Sequence, residues 1–102
     1  MRPLDPPHTI EGDPKATEML RLWTAHNKLN VAINIGSYEE NGHDEANAWG
    51  IIVADFAKHV SRALHQRYGH DSDETLRKIK ELFLAELRNP SSSIEGERCD
   101  HT

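Results

Sequence analysis

Residues Glu18–Gly36 read EMLRLWTAHNKLNVAINIG, and the two-residue period running through them predicts a β-hairpin. With Asn27 and Lys28 as a two-residue turn, Leu20 pairs with Ile35, Leu22 with Ile33, Thr24 with Val31 and His26 with Leu29. This pairing gathers Leu20, Leu22, Val31, Ile33 and Ile35 on one side, as a half-buried antiparallel pair requires. The other side is mixed, with Met19, Arg21, Trp23 and Ala25 against Asn30, Ala32 and Asn34. A competing reading extends a helical turn from Asp13-Pro14 through Ala25, with Ala16, Met19, Leu20 and Trp23 as its apolar stripe. The strand is preferred because Leu29–Ile35 is strongly β-forming and requires a partner nearby.

Downstream, the period changes from two to between three and four. A polar loop over Ser37–His43, with Asn41-Gly42 as its turn signal, leads into a helix expected from about Asp44 to Tyr68. Trp49, Ile52, Val53, Phe56, Val60, Ala63 and Leu64 recur along one side of it, and this stripe is expected to supply most of the core. Gly50, costing about 1 kcal/mol against alanine, either permits close approach of the hairpin backbone or marks a later helix start. Gly69 is the expected left-handed cap. A second helix follows from Asp71, which forms a capping-box-like pair with Glu74. Leu76, Ile79, Leu82, Phe83 and Leu87 are its stripe, and Asn89-Pro90 stops it. Glu74–Lys78 and Arg77–Glu81 are four-residue ion-pair spacings on its outer side.

The two ends are different in kind. Pro3, Pro6, Pro7 and Pro14 make residues 1–13 an extended arm, with Leu4 and Ile10 either packed on the sheet or free. Residues 89–102 carry only Ile94 and Cys99 as apolar side chains, so a disordered tail is expected. Between them, residues 14–88 form a single α+β domain in the order ββαα, a hairpin followed by two antiparallel helices packed on its apolar face. A chain of 102 residues is too short to divide into two cores.

Whole-chain properties narrow the partners. A net charge of −5 disfavours general attraction to nucleic acid or to an anionic membrane, and no apolar run longer than Ile51–Ala54 occurs. The opening residues have no apolar segment of a secretory signal, and the single Cys99 excludes an intrachain disulfide. A cytoplasmic protein with neither nucleic acid nor membrane as partner is the expectation.

RLWTAHNKLNVAINIG followed by NAWGIIVADFAKHVSRA resembles a family of short proteobacterial proteins, domain of unknown function 5076. The resemblance spans roughly residues 14–87. It rests on Leu20-Arg21-Leu22-Trp23, on Trp49-Gly50-Ile51, and on Asp55 with Lys58-His59-Val60 downstream. A tryptophan and an Asp-Pro segment are usual in that family just before the Trp-Gly helix; here Tyr38 and Glu39–Ala48 occupy the stretch. The resemblance implies a compact α+β fold and no known activity.

Two groups of residues are candidates for function. Asp55, His59 and Arg62 follow at four and three residues along the first long helix, where a carboxylate could orient an imidazole for base work or ligand binding. The alternative is a row of surface ion pairs. Arg21, Trp23 and Asn34 share the mixed face of the hairpin, and tryptophan and arginine are enriched at interfaces. Either a second copy covers this face, giving a homodimer through the hairpin, or the arm or the second helix does. The seven histidines show no His-x3-His spacing, so no metal site is expected, and no motif implies a cofactor or an ordered nucleophile.

The resulting expectation is a small non-enzymatic binding or regulatory module whose protein partner is unknown. Its rival is a small enzyme or ligand-binding protein with a pocket between hairpin and long helix, using Asp55, His59 and Arg21. Nucleic-acid binding ranks third, because Arg21, Lys28, Arg62 and Arg67 would have to form one basic surface.

Overall fold

The computed structural model describes residues 3–90 and the backbone of 98–101. An arm with one turn of 3-10 helix at His8–Ile10 leads to strands β1 (Leu20–Ala25) and β2 (Lys28–Asn34). A single helical turn, α1 (Ser37–Glu40), precedes two long helices, α2 (Glu45–Tyr68) and α3 (Ser72–Arg88), and strand β3 (Arg98–His101) closes the chain. The α+β order of a hairpin followed by two helices is the one the periodicities predict.

Within the hairpin the observed pairs are Leu20↔Ile33, Leu22↔Val31, Thr24↔Leu29 and Ala25↔Lys28, two residues from the expected register. The turn is His26-Asn27, and both residues have positive φ, 56° and 58°. A two-residue turn with both φ values positive has the twist that matches right-handed strands, and asparagine and histidine enter the left-handed region more readily than most residues. A shift of two leaves the faces unchanged. Leu20, Leu22, Val31 and Ile33 therefore still lie together, with Leu29 beside them opposite Thr24.

The helix ends agree closely with the sequence signals. Asp44 caps α2 by accepting from the Asn47 N–H at 3.2 Å, and Gly69, with φ 74°, ends it by donating to the His65 carbonyl at 2.8 Å. Asp71 caps α3 through the Asp73 N–H at 3.0 Å. The return half of a capping box is not made. Glu74 instead pairs with Arg77, which also reaches Glu81 at 2.8 Å, and this neighbouring guanidinium holds the Glu74 carboxyl below its ordinary range.

The tail expected to be disordered lies largely outside the described residues; within it the backbone of Arg98–His101 runs parallel to β2, from Val31↔Arg98 to Asn34↔His101. The free edge of β2 supplies the template, while Arg-Cys-Asp-His carries no strand signal of its own. Packing differs from the expectation: the helices pack on each other and, among the described residues, form no extensive interface with the hairpin.

The consequence is a fold without an interior of the ordinary kind. Among the described residues no apolar side chain is buried; only Ser61 and Thr75 are, both near the α2–α3 connection. Ser61 fits there because it is small and its hydroxyl donates to the Ala57 carbonyl at 3.0 Å. Phe56 remains 50% exposed and Phe83 48% exposed. The radius of gyration, 15.6 Å, exceeds the roughly 13 Å expected of a compact chain of this length.

Candidate self-association surface

Among the described residues two apolar surfaces are at least partly open. The first is the aliphatic side of the hairpin, where Leu22 is 42% exposed and Leu29 is also exposed, beside the half-buried Leu20, Val31 and Ile33. The second is a groove between α2 and α3 of about 560 Å³, lined by Trp49, Gly50, Val53, Ala57, Ile79 and Phe83, with Lys58 and Lys80 also lining it. Trp49 and Val53 from the first stripe and Leu76, Ile79 and Phe83 from the second line it, while Ile52, Phe56, Val60 and Leu64 do not.

Between the two surfaces lies a joint built around Glu45. One carboxylate oxygen accepts from the backbone N–H groups of Tyr38 and Glu39 at 3.0 and 3.1 Å, while the other accepts from the Trp49 indole at 2.7 Å. Glu39 reciprocates by accepting from the Glu45 N–H at 3.2 Å. At the strand end, the Ser37 hydroxyl bonds the Asn34 side-chain oxygen at 3.1 Å, and the Asn34 N–H donates to the Met19 carbonyl at 3.0 Å. Gly36, with φ 109°, makes the bend that a side chain would resist. Together these bonds tie the last residue of β2 to α1 and α1 to the first turns of α2.

Burial pushes the Glu45 carboxyl up, but the Trp49 and backbone hydrogen bonds outweigh it and hold the group below its ordinary value of 4.5. A lowered folded-state value stabilises the joint above pH 4.5 and ceases to do so as the pH falls through the folded value. In a Trp23→Phe background, Trp49 emission is therefore expected to hold steady above that point and to shift red in acid. Glu45→Gln should flatten this response; an unchanged acid response in that variant would remove Glu45 as its source.

The residues singled out from the sequence fall into separate places. Arg21 bonds Glu18 at 2.6 Å and lies 5.4 Å from the centre of the half-buried Trp23 ring, so these two do form a group. Asn34 belongs to the joint. Asp55, His59 and Arg62 are exposed on α2, and no ion pair joins them among the described residues. Arg21 lines a cavity of about 280 Å³ with Glu18–Leu20 and Ala32–Asn34, and Asp55 and His59 line neither this cavity nor the groove. No group of three or more potential metal ligands gathers among the described residues. Among those residues no helix is long and apolar enough to cross a membrane.

Sequence reasoning passed over Glu45 except as a helix-start charge. Its spacing of four from Trp49 on one helix side was the available signal. The arm gives the hairpin no cover through Leu4, which is almost fully exposed.

Comparison with known proteins places these features in context. A family model described as "Domain of unknown function (DUF5076)" matches residues 3–91. A solved structure of a "putative pyruvate dehydrogenase" from the photosynthetic bacterium Rhodopseudomonas palustrus CGA009 is similar, with 27% identity and a TM-score of 0.65 over 91% of this chain and 90% of that one. No curated protein matches the chain.

Proposed function

The chain belongs to the domain-of-unknown-function family DUF5076, and we propose that it acts as a self-associating cytoplasmic binding or regulatory module, a homodimer, rather than as an enzyme. The observation that carries this reading is the absence of any buried apolar side chain among the described residues, set beside the large apolar side chains left in water. Unassisted, such a chain forgoes most of the hydrophobic stabilisation on which folding depends.

Surface area supports the same reading. A folded monomer of this mass exposes about 5,800 Å², whereas this chain exposes 9012 Å². The exposed arm supplies part of the difference.

The dehydrogenase name of the Rhodopseudomonas protein is not carried over. Chemistry on a 2-oxo acid requires polar groups converging on an enclosed site, whereas the apolar groove and the smaller cavity beside the strands are both open. Sedimentation velocity at micromolar concentration tests the proposal, with a species of twice the 11.6 kDa chain mass expected. A clean monomer that still unfolds cooperatively would overturn it.

A further inference from the structure

Resting on the homodimer reading, we infer that the groove between α2 and α3 receives the β1–β2 hairpin of a second copy, and that the exchange is reciprocal. Each core then consists of strands from one chain against helices from the other.

Complementary surfaces are the first support. The aliphatic side of the hairpin, exposed at Leu22 and Leu29, and the open Trp49–Val53–Phe83 groove are both apolar, and one chain does not bring them into an extensive contact. The joint is the second. The bonds from Asn34 through Ser37, Tyr38 and Glu39 to Glu45 and Trp49 fix the link between β2 and α2, and with that link in place the hairpin and its own helices form no extensive interface. A partner's hairpin leaves that link intact.

Gly50 is the third support. It sits inside α2, where glycine weakens a helix, and a Cβ built on it meets nothing within 4 Å in its own chain. The close backbone approach anticipated from the sequence is therefore not made by the chain's own hairpin. A partner strand lying across the groove would make it. In this arrangement the aliphatic side of the hairpin is the mating surface, and Arg21 and Trp23 remain on the outer side.

Isotope-filtered NMR on wild-type protein, with labelled and unlabelled chains unfolded together and refolded, tests the exchange. Interchain cross-peaks are expected from Leu22, Val31 and Ile33 methyls to the Trp49 and Phe83 rings. A dimer showing Phe83–Phe83 or Trp23–Trp23 contacts between chains, without hairpin-to-groove contacts, overturns the exchange while leaving self-association intact. A monomer overturns both. Gly50→Ala supplies a second readout: overpacking beneath a partner strand is expected to weaken association by about tenfold. An unchanged or tightened dimer in that variant overturns the docking, because helix propensity alone favours alanine.

Discussion

Leu22→Asp is expected to abolish the dimer and, with it, cooperative thermal unfolding. In the proposed assembly this side chain leaves water for the partner's groove, and an unpaired carboxylate there costs several kcal/mol after relaxation. Symmetry places two such charges in each dimer. Every 1.4 kcal/mol is a tenfold change in equilibrium, so association at micromolar concentration should disappear. Ile51→Asp is the matched control. Ile51 is 69% exposed, and helical spacing puts it on the side of α2 away from Val53 and Ala57. The control should sediment and melt as the wild type does. If Leu22→Asp remained dimeric with an unchanged melting curve, the aliphatic side of the hairpin would be ordinary surface and the homodimer core would have to lie elsewhere.

Phe83→Ala is expected to weaken self-association about a hundredfold or more per site. Truncating a fully buried phenylalanine costs about 3–5 kcal/mol, and Phe83, 48% exposed in one chain, would complete its burial in the proposed assembly. Part of the loss therefore falls on the α2–α3 pair itself and part on the interface. Analytical ultracentrifugation across a concentration series separates the two, because only the interface part moves the dissociation constant. A melting temperature that rises with protein concentration for the wild type, and more steeply for Phe83→Ala, is the accompanying expectation. Loss of helical content with no change in dissociation constant would confine Phe83 to the single chain and count against its place in the interface.

Much of this protein's local structure is legible residue by residue. The alternation from Leu20 to Ile33 specifies a hairpin and its apolar side, and that conclusion survives a register two residues from the expected one because only an odd shift turns a strand over. Asp44, Gly69 and Asp71 mark helix ends to within a residue, since caps satisfy backbone groups through neighbours in sequence. The grouping of Arg21 with Trp23 was legible for the same reason, being a matter of two positions on one strand side. The joint was not legible, because Glu45 reaches Tyr38 and Glu39 only once α1 has folded against the start of α2. Nor was β3, whose pairing depends on an open edge of β2 and not on its own residues.

Periodicity in the chain determined which side chains are apolar together and where each element begins and stops. Whether the hairpin meets its own helices was decided by the tertiary structure alone. A stripe of leucines and phenylalanines specifies that it must leave water, since the free energy of burial depends on area and is indifferent to which chain supplies the cover. Gly36 at φ 109° and the bonds around Glu45 join the end of β2 to the start of α2, and in that arrangement Leu22, Leu29, Val53 and Phe83 all remain exposed.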